Sequence, residues 1–232
     1  PLDKRAYENY MQALDLCPDH PEANFNLGNV LRRMGKFETA IEKFQAAIKA
    51  RPDYAEAHNN LGHSLRVLGD KKTAEKHWKQ AVDMDIQLAD AQVNLGLVDF
   101  EQGDLESGWK RYEWRDKAYS YESPQRSFPQ PKWDGTSLEN KEIILWGEQG
   151  LADEILYASM IPDILKKGGK VTIECTARLV ELFTRSFKGA EIYGYPYKQG
   201  EDGQRFYDFQ SSFPSLGQHL RKKIDDFPTL SD

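Results

Sequence analysis

Cysteine is scarce in this 232-residue chain: Cys17 and Cys175 are the only two, and they lie in different segments. That excludes a disulfide scaffold; two buried free thiols in a reducing compartment are the expectation. Long apolar runs are absent, and none approaches the ~20 residues of a membrane span. A basic excess is absent as well. The 31 Lys and Arg stand against 37 Asp and Glu, a formal net charge of −6, whereas a nucleic-acid binder presents a basic face. The five histidines, His20, His58, His63, His77 and His219, form no H-E-x-x-H, and no C-x-x-C occurs, so no metal site is expected. No G-x-S-x-G, G-K-[ST] phosphate loop or G-x-G-x-x-G is present, and no cofactor is implied. No signal-peptide pattern is visible, and a cytoplasmic location is the expectation. The hydrophobic content of 39% with 12% aromatics is ordinary for a soluble protein.

What is present is a ruler of 34 residues. Asn26-Leu27-Gly28 returns as Asn60-Leu61-Gly62 and Asn94-Leu95-Gly96. Gly35, Gly69 and Gly103 keep the same step, as do Ala6, Ala40 and Ala74, then Tyr10, Phe44, Trp78 and Tyr112, then Ala13, Ala47 and Ala81. Pro18 and Pro52 repeat too. The small residue in each first helix lets a second helix lie close, and the aromatic fills the space beside it. The second glycine column falls between the helices, where a left-handed cap is expected. The prolines end the second helix. Helix pairs are thus predicted at about 21–34 with 37–50, 55–68 with 71–84, and 89–102 with 105–118, after a leading second-type helix over 3–16. No pair can bury its apolar face alone, so the pairs must stack.

Over residues 1–118 this pattern resembles the tetratricopeptide repeat family. The resemblance implies an α-helical solenoid, a right-handed superhelix of helix pairs, that binds protein or extended peptide on its concave face. Asn26, Asn60 and Asn94 occupy one equivalent position there and would form a ladder. Each amide can both give and accept a hydrogen bond, which suits an extended peptide backbone. The arrays of O-linked N-acetylglucosamine transferases are similar in this respect. Equally, an Asn at this position packs the turn between repeats. The basic clamp that grips chaperone carboxyl termini is not matched, since Asp90 and Asn94 stand where Lys and Arg are expected.

Residues 119–141 hold Pro124, Pro129, Pro131 and Gly135 with Phe128 and Trp133, and read as an ordered linker pinned by its aromatics. From 142 the period changes. Strands are expected at 142–146, 171–175 and 190–193, with a fourth at 207–210. Helices are expected over 152–167, split or kinked at Pro162, over 177–187, and over 215–222. In the 152–167 helix, Ile155, Leu156, Ser159, Ile161 and Leu165 form the expected inner side. This order makes 142–232 a small Rossmann-like parallel sheet.

The loop Gly147-Glu148-Gln149-Gly150 leaves the carboxyl end of the first strand and opens a helix, the edge at which α/β sheets hold ligands. Asp153 and Glu154 just beyond it could equally do no more than complement the helix dipole. Gly108-Trp109 with Tyr112-Glu113-Trp114-Arg115, Pro131-x-Trp133-Asp134-Gly135, Glu148-Gln149-Gly150-Leu151-x-Asp153-Glu154 and Gly168-Gly169-x-Val171-Thr172-x-Glu174 carry a second resemblance. It is to tetratricopeptide proteins whose C-terminal part is similar to heptosyltransferase-type, GT-B glycosyltransferases. The resemblance implies two Rossmann-like halves with the nucleotide-sugar donor bound mainly by the second, and Asp153 in the position of the general base. Two residues separate Gly150 from Asp153, where the heptosyltransferase motif has Gly and Asp adjacent. Only the first half lies within these residues. Three readings follow: an interaction module fused to a partial transferase domain that is inactive alone, a fragment of an active glycosyltransferase, and a purely structural assembly scaffold.

Overall fold

A computed structural model describes residues 2–119, 128–148, 150–195 and 206–228. Among them, 2–102 with 114–119 make one compact unit, and 103–113 with the described residues from 128 onward make another.

The first unit is all helix: α1 Leu2–Leu16, α2 Pro21–Arg33, α3 Phe37–Ala50, α4 Ala55–Val67, α5 Lys71–Met84 and α6 Ala89–Gln102. The breaks between elements lie within a residue or two of those the repeat predicts. Pro21 stands in the first turn of α2, where its missing N–H costs nothing. Asp70 caps α5 by accepting from the Thr73 backbone N–H at 3.1 Å. Gly35 and Gly69 hold φ of +74° and +91°, the left-handed turn from the first helix of each pair into the second. Helix α2 packs on α3, α3 on α4, and α4 on α5, so neighbouring pairs stack. A Cβ on Gly28 would lie 2.6 Å from the Phe44 ring, and one on Gly62 2.7 Å from Nε1 of Trp78. The aromatic occupies the volume the glycine leaves. Leu27, Ala40, Phe44 and Leu61 form one continuous core and Ala74, Trp78 and Leu95 another. Cys17, expected to be buried, is exposed, since it lies in the turn beyond α1; Cys175 is buried.

The second unit holds a four-stranded, wholly parallel sheet in the order β3-β2-β1-β4: β1 Glu142–Trp146, β2 Lys170–Thr176, β3 Ala190–Tyr195 and β4 Phe209–Ser212. Ile143, Ile144 and Leu145 are fully buried, as befits a central parallel strand covered on both faces. The fourth strand lies two residues later than expected. The 152–167 helix breaks into α8 Leu151–Ala158 and α9 Ile161–Leu165, because Pro162 removes an N–H from the first turn after the break. The inner side of α8 differs from the expectation. Ile155 and Leu156 are 47% and 63% exposed, while Glu154 and Ala158 are buried. The carboxylate of Glu154 fixes this rotation by accepting from Thr176 N at 2.8 Å and Oγ1 at 2.6 Å. The 177–187 helix is a 3-10 turn, Ala177–Leu179, followed by α10 Val180–Ser186; the last helix is α11 Gly217–Leu220, after a 3-10 turn Pro214–Leu216.

The helix expected over 105–118 stops early, as α7 Leu105–Tyr112, and tightens into a 3-10 turn over Glu113–Lys117. Helix α7 packs with the α/β elements: the Trp109 indole donates to the Arg221 carbonyl at 2.8 Å and lies edge-on to Tyr157 at 6.2 Å. Of the linker, 120–127 fall outside the described residues. Its second half joins the sheet. Trp133 N–H donates to Gln210 O at 2.8 Å and Gln210 N–H to Pro131 O at 3.0 Å, which pairs the outer edge of β4. Trp133 is 3% exposed, and Phe128 lies 5.8 Å from Trp146.

Candidate functional site

Helices α2 and α4, with the first residues of α6, line a groove of about 460 Å³. Because the groove-facing side chains come from first helices, they recur on the 34-residue ruler. Asn60 and Asn94 line it, and Asn26 does not. Asn29, one helical turn beyond Asn26, lines it instead. The amides bond to one another in sequence. Asn94 Nδ2 donates to Asn59 Oδ1 at 3.0 Å, Asn59 Nδ2 to Asn60 Oδ1 at 3.1 Å, and Asn60 Nδ2 to Asn29 Oδ1 at 2.7 Å. An amide can give two hydrogen bonds and accept two. Asn59 and Asn60 each use one donor and one acceptor in this chain, so each keeps an N–H and a lone pair for something else. The chain of amides also crosses from α6 to α4 to α2, linking the repeats.

Around the amides stand Phe25, Arg32, Arg33, Glu56, His63, Leu88, Asp90 and Tyr119. Arg33 donates to Asp3 Oδ1 from Nε at 3.0 Å and Nη2 at 2.8 Å. Asp90 Oδ2 accepts the Tyr119 N–H at 3.0 Å. Burial pushes His63 below its ordinary value, and the guanidinium groups of Arg32 and Arg66 push it the same way, so it is neutral at pH 7. Phe25 stacks obliquely on Tyr54 at 4.8 Å and supplies an apolar wall. Phe25, Asn29, Asn59 and His63 escaped the sequence reading because each changes from repeat to repeat, and Arg32 because its column keeps Arg only once more, at Arg66, before Phe100. Their signal was helical phase: Phe25, Asn29 and Arg32 sit three or four residues apart on α2, as do Asn59 and His63 on α4.

In the second unit the loop after β1 lies at the carboxyl edge of the sheet, between β2 and β4 on either side of β1. Gly147 leaves room for the Glu154 carboxylate, 2.5 Å from where a Cβ would be. Glu148 is buried at 3% exposure; Gln149 lies outside the described residues. Asp153 Oδ2 accepts the Gly150 N–H at 3.3 Å and so closes the first turn of α8. Buried Cys175 has its thiol pushed up to about 12, by burial first and then by the carboxylates of Glu154 and Glu174. It is an inert structural thiol. Among the described residues no group of three or more His, Cys, Asp or Glu side chains could hold a metal ion, and no helix is long and apolar enough to cross a membrane.

Two family models match the chain, one described as TPR repeat over residues 28–69 and one as tetratricopeptide repeat over 9–42. Protein FlbA of Caulobacter vibrioides is 33% identical over 93 residues, which is 39% of this chain and 16% of FlbA. The chain therefore spans a small part of that relative's length. A crystal structure of MamA matches 49% of this chain and 67% of its own at a TM-score of 0.45 and 22% identity; a crystal structure of MamA protein matches 47% and 59% at 0.42 and 26%. The chain carries tetratricopeptide repeats, followed by a small parallel-sheet segment.

Proposed function

We propose that this chain is a protein-interaction module: its repeats hold an extended segment of a partner protein in the groove of α2 and α4, and its α/β segment is a glycosyltransferase-like half that is inactive alone. The observation that carries the reading is the amide chain from Asn94 to Asn29. It sets four amides along one groove with unused donors and acceptors, matching the alternating C=O and N–H of an extended backbone. Asn26, on the same column as Asn60 and Asn94, is the member of the predicted ladder that the groove does not include. The test is selection of linear peptides by display against the whole chain, followed by photo-crosslinking and mass spectrometry. Crosslinks on α2 and α4 are expected. Failure to select any peptide, or crosslinks confined to other helices, would leave the scaffold reading in its place.

A second reading has one observation in its favour. The loop Gly147 to Gly150 sits where strand order reverses about β1, the point at which open α/β sheets hold ligands. In a longer parent protein, with a second half to bind a nucleotide sugar, Asp153 would be the general base. Against this, its carboxylate is engaged as a helix cap. Incubation of the chain with nucleotide sugars is expected to give neither hydrolysis nor transfer. Turnover that is lost in Asp153→Asn, with the melting temperature retained, would establish the transferase reading instead.

A further inference from the structure

The 34-residue register exposes a missing partner. Arg66, near the end of α4, forms an ion pair with Glu101, 35 residues further on. Arg32 is the equivalent of Arg66 one repeat earlier, and the position equivalent to Glu101 is Val67, 50% exposed. The counter-ion that the second repeat receives from the third is therefore absent for Arg32. Among the described residues the side chain of Arg32 makes no hydrogen bond and no ion pair, and its Nε is buried without a partner. Its guanidinium lines the groove, beside His63, whose Nδ1 is likewise buried and unpartnered. Of the groove carboxylates, Glu56 is exposed, and Asp90, which accepts the Tyr119 N–H, acts on Arg32 only through space, with no ion pair between them.

We propose that Arg32 is the anchor for a carboxylate carried by the bound segment, so that the groove selects peptides with an acidic group beside their extended backbone. This rests on the groove being the peptide site. A guanidinium offers a carboxylate two parallel N–H donors, and His63 and the unused N–H of Asn29 lie in the same groove to take a remaining lone pair. Positions 90 and 94 contribute no cation here; the cation comes from the last turn of α2. Burial and the neighbouring Arg33 both push Arg32 below its ordinary value, while Asp90 opposes them. An arriving anion relieves that penalty.

The test uses the full, nitrogen-15-labelled chain and three Ser-Ala decapeptides as probes: one with a central Asp and one with a central Asn, both blocked at each end, and a third with uncharged side chains, blocked only at its amino end so that its terminal carboxylate is free. Amide and Arg Nε shifts locate and quantify binding. The Asp peptide is expected to bind about tenfold more tightly than the Asn peptide, because a charge-assisted pair replaces a neutral one. The third probe tells a side-chain carboxylate from a chain terminus as its source. Arg32→Gln should erase the preference, so that the Asp and Asn peptides bind with equal affinity. Val67→Glu, at an exposed position, should do the same by restoring the internal counter-ion. Equal affinity for the Asp and Asn peptides would overturn the carboxylate anchor and leave the groove reading standing. Absence of shifts in α2 and α4 with any probe would overturn both.

Discussion

A methyl group on Gly62 would fall 2.7 Å from the indole nitrogen of Trp78, whose N–H donates to the Asn59 carbonyl at 3.1 Å. The ring is held by that bond and fully buried, so it has little room to yield. Gly62→Ala is expected to destabilise the repeat unit by about 1–3 kcal/mol, read as a lower denaturation midpoint with an unchanged slope. This pairing was legible in the sequence because glycine and aromatic recur together. A second residue-scale feature was not. His58 is buried at 4% exposure and its Nδ1 lies 3.0 Å from Nδ1 of His77. Burial lowers both below the ordinary 6.5; for His77 the neighbouring His58 adds to it, and for His58 the Pro52 carbonyl opposes it. The unfolded chain therefore takes up protons that the folded chain resists. This contribution is complete above the unfolded value of 6.5 and is lost as pH falls below it. The denaturation midpoint should drop between pH 7.5 and pH 5.5, and His77→Gln should flatten that drop. A 34-residue ruler could not reveal this pair, since position 58 is Asn24 one repeat earlier and Gln92 one later.

Among the elements, α7 shows how sequence register and packing separate. Its glycine, aromatic and 34-residue spacing mark it as the second helix of a third pair, and its ends confirm a helix there. Its side chains nonetheless belong with the α/β elements through Trp109, and the 131–133 stretch shields the edge of β4. The sequence carried a hint in Gly108 and Arg115, which stand where the columns of Ala40 and Ala74 and of Ala47 and Ala81 would continue; the strand pairing of the linker left no periodic trace. The same holds for α8, whose buried face is chosen by the Glu154–Thr176 bonds and not by its apolar residues. We predict that a fragment starting at residue 138 fails to melt cooperatively, since it lacks Trp109 and exposes an open strand edge. A fragment starting at residue 103 should melt as a unit. Trp109→Ala in the full chain should cost the second unit about 3–5 kcal/mol, followed by near-ultraviolet circular dichroism. A cooperative melt of the shorter fragment at the longer one's temperature would contradict this.

For the molecule as a whole, the repeats, the helix pairs and the parallel sheet could all be read from periodicity, because each is the same physical solution stated several times. The groove could be read only in part. Its shared amides, Asn60 and Asn94, lie on a column, but the residues that would choose a ligand are those that vary between repeats: Phe25 against Asn59, Asn29 against His63, Arg32 with no partner against Arg66 with one. Specificity has no period. On the proposed reading the amide chain binds a partner and does not merely tie α2, α4 and α6 together. The measurement that separates these is the triple variant Asn29→Ala, Asn60→Ala, Asn94→Ala, scored at once for capture of display-selected peptides and for melting temperature. Net hydrogen-bond contributions of ~0.5–1.5 kcal/mol each, at groups that are half exposed, predict a small fall in melting temperature and loss of peptide capture. A large fall in melting temperature, with the remaining folded fraction still capturing peptide at wild-type strength, would contradict the account.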